Sequence, residues 1–286
     1  MPFTTLIGAG ELAAHLGDPA WIVFDCRHDL SQPEAGEQAY AISHVPGARF
    51  LHVDRDLAGP VTGRNGRHPL PNPQRFAARL AAAGVNSSSQ VVAYDDTGGM
   101  YAARLWWMLR WIGHSSVAVL DGGLKAWLDE GRATDSIVPQ PRPGNIAVAP
   151  RDIAVDVNFV LAHLHDPKIR VVDARAEDRY RGENETLDPV GGRIPGALNR
   201  FFRNNLGADG RFKQASQLRE DFNRVLQGAA PAAVVHQCGS GVTACHNLLA
   251  MEIAGLTGSR LYPGSWSEWC ADPARPVATG PASAAP

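Results

Sequence analysis

The sequence predicts an α/β protein built as two tandem copies of one unit, each a mostly parallel sheet flanked by helices. Three observations carry this. Short apolar runs of strand length alternate with helix-periodic segments. The same motifs recur in one order in the two halves, 140–149 positions apart, which marks an internal duplication. A stiff, non-helical stretch, Pro139-Gln-Pro141-Arg-Pro143-Gly144, separates the halves. The division is residues 1–138, a linker over 139–150, a second copy over 151–278, and an Ala/Pro/Ser tail over 279–286 for which no fixed structure is expected.

In the first copy, residues 10–17 have the spacing of a short helix closed by Gly17, and Trp21 to Arg27 is a buried strand ending in a polar pair. A loop is expected through Tyr40, then a tight turn at His44-Val-Pro-Gly-Ala48. Pro73 to Ala83 has helical spacing with a Gly84 stop. Gln90–Tyr94 is a strand, residues 95–99 a turn, and Met100 to Ile112 a strongly apolar helix whose Trp106, Trp107 and Trp111 are expected in the core. Val117–Leu120 is a further strand, followed by a helix from Leu124 to Glu130. The second copy repeats this order. Arg170-Val-Val-Asp173-Ala-Arg175 echoes Val23-Phe-Asp25-Cys-Arg27, and Arg193-Ile-Pro-Gly-Ala197 echoes His44 to Ala48. Helix-periodic Ala215–Leu226 precedes a strand at Ala232–Val235, and Gly264-Ser-Trp266-Ser-Glu-Trp269 echoes the stretch ending at Trp127.

Bulk properties narrow the function. The chain has 286 residues, 44 % hydrophobic and 20 % charged, enough for two cores. A formal charge of −2 offers no basic face for nucleic acid, and no apolar run is long enough for a membrane span. The first residues lack the pattern of a signal peptide, and the cysteines at 26, 238, 245 and 270 form neither a C-x-x-C metal pair nor a disulfide framework. A cytoplasmic, reduced protein without metal is expected.

The chemistry concentrates at Cys238-Gly-Ser-Gly-Val-Thr-Ala244, a Gly-rich turn between the Val234-Val235 strand and an apolar helix. Backbone N–H groups curling around a sulfur at a helix N-terminus favour its thiolate, the reactive form. The duplication supplies a control: aligning Val91-Val92 on Val234-Val235 puts Asp95 where the second copy has Cys238, one silent copy beside one live one. A small buried hydrophobe is the bland alternative for Cys238, and its position on the turn rather than within the strand argues against it.

Taken in order, Asp-x-Arg, His/Arg-x-Pro-Gly-Ala, the Cys238 loop and Gly-Ser-Trp-Ser-Glu-Trp resemble the tandem-domain rhodanese family over about residues 13–277. Gly239 and Ser240 are similar to its mercaptopyruvate-using subgroup; the thiosulfate-preferring animal enzymes have Arg and Lys there. The resemblance implies two rhodanese-like domains, the second catalytic, and a sulfurtransferase that carries sulfur on Cys238. It moves from a small anionic donor, mercaptopyruvate first and thiosulfate second, to cyanide, a small thiol or a thioredoxin-like acceptor, with no cofactor. It implies that backbone from Gly239 through Gly241, Val242, Thr243 and Ala244 holds the anion, that Arg179 grips the donor with Arg181 sharing the role, and that Asp54, His68 and Ser240 act as a set, bringing the first half into the site. The subgroup's second arginine is missing: Thr186-Leu187-Asp188-Pro189 stands in its place, and Arg193 is the candidate to replace its charge.

Two rival enzymes fail on single residues. A cysteine phosphatase needs Arg where Ala244 stands, and a P-loop needs Gly-Lys-Ser/Thr after its glycines. A non-catalytic carrier or partner-binding module remains as the alternative of another class. Cys26, Cys245 and Cys270 are expected to be packed, and Asp25–Arg27 and Asp173–Arg175 to pair charges at strand ends.

Overall fold

Among the described residues, nine short strands, all paired in parallel, form two sheets whose order repeats. The structure, a computed structural model, describes residues 1–281. The strands are β1 (Leu6–Ile7), β2 (Trp21–Asp25), β3 (Arg49–Phe50), β4 (Gln90–Tyr94), β5 (Val117–Leu120), β6 (Arg170–Asp173), β7 (Leu198–Asn199), β8 (Val234–Gln237) and β9 (Arg260–Leu261). The first sheet runs β1-β5-β4-β2-β3 and the second β7-β6-β8-β9. Read from one edge, β5-β4-β2-β3 and β9-β8-β6-β7 are the same order, so the duplication seen in the sequence is a duplication of topology. Where β1 pairs β5 in the first copy, residue 154 forms a parallel bridge to Leu261 in the second.

Parallel strands buried on both faces read as continuous apolar runs, and β4 is buried at all five positions. The helix Pro73–Ala82 starts where the sequence places it: the Asn72 side chain accepts the N–H groups of Gln74 and Arg75, with Pro at the first turn. Trp106 and Trp107 are in the core as expected, while Trp111 is only half-buried, stacked on Trp107. The expected loop through Tyr40 contains a helix, Ala35–Ile42. Only Gly36 and Tyr40 of it are buried, so it carries no apolar stripe. Asp25 and Asp173 each hold the arginine two residues on: Arg27 Nη2 lies 2.7 Å from Asp25 Oδ2, and Arg175 Nη2 lies 2.7 Å from Asp173 Oδ2.

Contacts divide the chain into two units: 1–59, 70–152 and 206–212 in one, and 60–69, 153–205 and the described part of 213–286 in the other. The sequence division at 138 and 151 would have put 60–69 in the first and 206–212 in the second. The proline-rich stretch is also not free, since Gly144 and Ile146 N–H groups donate to Ala81 and Val85 carbonyls. At the C-terminus, Gly280 N–H donates to the Arg181 carbonyl, so Thr279–Pro281 are held; residues 282–286 lie outside the described residues.

His236, within β8, is fully buried, and burial pushes its pKa down to about 3. The unfolded chain therefore binds a proton near pH 6.5 that the folded chain refuses until about pH 3. The associated stability is complete above about pH 6.5 and is lost as pH falls through that window, by up to about 1.4 kcal/mol per pH unit. Urea unfolding between pH 4 and 7 should show this slope in the wild type and a flatter one in His236→Gln; parallel slopes would refute the assignment.

Candidate active site

β8 ends at Gln237, and Cys238 opens the turn into the helix Thr243–Ile253. Cys238 is only 2 % exposed. The Gly241 N–H donates to Cys238 Sγ at 3.1 Å, and the Cys245 thiol donates to the Gly241 carbonyl at 3.3 Å. Gly241 has φ of +79°, and a Cβ there would meet the Pro263 carbonyl oxygen at 2.3 Å, so the turn closes only with glycine. Val242 caps the helix, and Thr243 and Ala244 form its first turn.

The loop rests on a platform the sequence marked only as a repeat. Ser265 Oγ accepts the Cys238 N–H at 3.1 Å and donates to the Tyr262 carbonyl at 2.9 Å. Trp266 and Ser267 N–H groups donate to the Cys238 and Gly239 carbonyls at 3.0 and 2.9 Å. Ser265 is buried with φ of +55°, a left-handed conformation that only over-determined surroundings sustain in a non-glycine residue. The first copy has Gly123 at φ +60° in the equivalent place, and the Leu124 N–H donates to the Asp95 carbonyl at 2.9 Å just as Trp266 does to Cys238.

That first-copy loop holds an anion of its own. Asp95 Oδ1 accepts the N–H groups of Thr97 and Gly99 at 2.9 and 2.8 Å, and Oδ2 those of Tyr101 and Ala102 at 2.8 and 2.9 Å. Four backbone donors therefore converge on one carboxylate, at the position that Cys238 occupies in the second copy.

Charged groups converge beside Gly239. Arg179, on the short helix Glu177–Arg181 rather than on a loop, is gripped by Glu185: Nε and Nη2 donate to its carboxylate at 2.8–3.1 Å. Burial works against Glu185's charge, but these bonds and the Leu187 and Asp188 N–H groups hold its pKa below the usual value. A Cβ at Gly239 would lie 3.5 Å from Arg179 Nη2 and 2.9 Å from Arg67 Nη2. Arg67, which the sequence did not single out, forms an ion pair with Asp188. Its neighbour His68 places Nδ1 2.7 Å from Ser240 Oγ. Asp54 belongs to the first unit, its carboxylate 3.9 Å from His52 Nδ1 and 4.0 Å from His28 Nε2. Behind the loop, burial opposes the Arg175 charge, but Asp173 holds its pKa above the usual value.

Two expected roles do not fit the geometry. Arg181 pairs with exposed Glu177 on its own helix, so Arg179 and Arg67 are the guanidinium groups that approach Gly239. Arg193 stacks over Tyr180 and donates to the Gly280 and Pro281 carbonyls at 2.6 and 3.1 Å, so it ties down the C-terminal segment and cannot supply a second donor-binding charge. Among the described residues, His28, His52 and Asp54 alone cluster with metal-ligand spacing. His52 Nδ1 already accepts the Asp54 and Arg55 N–H groups, and its Nε2 lies 3.1 Å from the Pro33 carbonyl, so it serves as a helix cap. The other cysteines are packed: burial raises the pKa of Cys26 and of Cys270.

A duplicated parallel sheet with one cysteine-bearing loop is the architecture of a two-domain sulfurtransferase, and the comparisons agree. The rhodanese-like domain matches residues 8–130 and 156–272, and the chain belongs to the rhodanese family. It is 47 % identical over 283 residues to a probable 3-mercaptopyruvate sulfurtransferase of Pseudomonas aeruginosa, covering 98 % of this chain and 100 % of that one. It is 37 % identical over 239 residues to the thiosulfate sulfurtransferase of Bos taurus, covering 80 % and 78 %. Among solved structures, the 3-mercaptopyruvate sulfurtransferase from Leishmania major superposes with a TM-score of 0.83 at 32 % identity, over 93 % of this chain and 74 % of that one. The chain is accordingly an enzyme that transfers sulfur. No helix among the described residues is long and apolar enough to cross a membrane.

Proposed function

We propose that the chain takes sulfur from 3-mercaptopyruvate and carries it as a persulfide on Cys238. The observation that supports this most directly is the first-copy loop, where four N–H groups hold the Asp95 carboxylate. The same turn in the second copy presents a sulfur, already accepting the Gly241 N–H, so the cradle serves a thiolate and then a persulfide anion.

In the first step the Cys238 thiolate attacks the donor sulfur. A sulfur–sulfur bond forms, the carbon–sulfur bond breaks, and its electron pair leaves on pyruvate as the enolate. Arg179 holds the donor carboxylate with a planar guanidinium. Ser240 gives the enolate its proton and is reprotonated through His68, 2.7 Å away. Asp54 is kept as the third member of that set on the family resemblance alone. In the second step a thiophile (a small thiol, cyanide or a thioredoxin-like protein) takes the outer sulfur and restores the thiolate. The four free cysteines suit a reducing compartment, and we place the protein in the cytoplasm.

Incubation with each donor and no acceptor, followed by intact-mass measurement and peptide mapping, tests this. The expected result is one added sulfur, on Cys238, formed faster from mercaptopyruvate than from thiosulfate. Sulfur on another cysteine, or on none, would overturn the mechanism; faster loading from thiosulfate would overturn the donor.

A further inference from the structure

We infer that Arg67 is a second anion-gripping residue of the donor site, and that Asp188 is the internal carboxylate a donor displaces from it. This rests on Cys238 being the reacting sulfur. Arg67 lies in the segment 60–69, which packs with the second unit. Its backbone is fixed on the platform that carries the loop: the Arg67 N–H donates to Ser267 Oγ at 3.1 Å, and the Ser267 N–H holds the Gly239 carbonyl. Gly66, at φ +84°, passes so close that a Cβ would lie 2.7 Å from the Gly264 carbonyl oxygen.

The side chain is aimed as an anion ligand would require. Arg67 Nη1 pairs with Asp188 Oδ1, while Nη2 is the atom nearest to where a Gly239 side chain would begin, at 2.9 Å, with Arg179 Nη2 next at 3.5 Å. Gly239 is not among the residues with positive φ, so its missing side chain serves space rather than backbone freedom. That space lies one residue from Cys238, between two guanidinium groups. The Arg67 side chain is 31 % exposed, against 3 % for Asp188, so the cation remains reachable while its partner is buried.

Asp188 is a poorly satisfied partner. Its Oδ2 is buried without a hydrogen bond and stands 3.6 Å from Arg179 Nη2. Glu185 and Asp188 thus balance Arg179 and Arg67 charge for charge, and leave one acceptor unmet beside the two guanidinium groups. A donor carboxylate entering over Gly239 would take N–H groups from both arginines and draw Arg67 off Asp188. The position where the sequence shows a missing arginine therefore holds the aspartate that keeps a distant one in place.

Protection of Cys238 against iodoacetamide, a neutral reagent, reads anion binding without sulfur transfer; pyruvate is the probe. In Arg67→Gln the pyruvate Kd and the mercaptopyruvate KM should rise about ten- to a hundred-fold, with KM rising much more than kcat falls. Asp188→Asn should lower Kd, and that gain should vanish in the Arg67→Gln background. Gly239→Ala, whose new methyl meets only movable guanidinium ends, should weaken pyruvate binding as Arg67→Gln does. An unchanged Kd in Arg67→Gln, or an Asp188 effect independent of Arg67, would overturn the inference. Normal protection with no persulfide in the wild type would leave Arg67 in place and defeat the proposed reaction instead.

Discussion

Cys238→Ser should abolish sulfur transfer, lowering kcat/KM by about ten-thousand-fold or more, because a serine hydroxyl is a far weaker nucleophile than a cysteine sulfur and cannot hold a sulfane sulfur. The substitution is nearly isosteric, and the contacts that fix the loop run through backbone: the Cys238 N–H to Ser265 and the Cys238 carbonyl to Trp266. The variant should therefore keep its unfolding midpoint while losing activity. Steady-state turnover with mercaptopyruvate and with thiosulfate checks this; activity within about tenfold of wild type would mean that another group carries the sulfur.

The largest stability effect is expected from Asp173→Ala. Asp173 and Arg175 are both buried, and the guanidinium donates to the carboxylate at 2.7–3.2 Å and to the Gly192 carbonyl at 2.7 Å. Removing the carboxylate leaves a cation with the Glu185 oxygen 3.4 Å away as its remaining acidic neighbour, and breaking a buried pair from one side costs about 3–5 kcal/mol. Because Glu185 also occupies Arg179, drawing it towards Arg175 should free that guanidinium and lower the donor KM as well. Urea unfolding followed by far-ultraviolet circular dichroism, with the donor KM measured alongside, tests both. A loss under about 1 kcal/mol would show that Glu185 alone satisfies Arg175.

The duplication, the longer strands β2, β4, β5, β6 and β8 and the cysteine loop were legible because each is written locally: an apolar run of strand length, a glycine where φ must be positive, a motif that returns in order, whereas the two-residue β1 is too short to carry such a run. The alignment of Asp95 on Cys238 was equally visible, since Val91-Val92 and Val234-Val235 set the register. The helix Ala35–Ile42 was hidden because it buries only Gly36 and Tyr40 and so lacks a period to read. The helix Glu177–Arg181 is a single turn bounded by Gly182, too short for any pattern. Arg67 was missed for a different reason. Its proximity to Gly239 depends on where the segment 60–69 packs, and nothing within that segment announces it. The one signal was a charge mismatch, an aspartate at 188 where the family resemblance implies an arginine, and it said nothing of the segment 60–69. Arg193 was the nearest cation in sequence, yet the carbonyls of Gly280 and Pro281 take its donors.

The carboxylate of Asp95 also bears on how the same turn persists in two copies with different residues at its centre. A duplicated cradle with nothing at its centre would leave its inward-pointing N–H groups without partners. A side-chain carboxylate, accepting on both oxygens from the main chain, gives four of those donors a partner within the chain itself. The first-copy loop thus keeps its turn without a sulfur, its aspartate acting as the internal template on which the main chain closes.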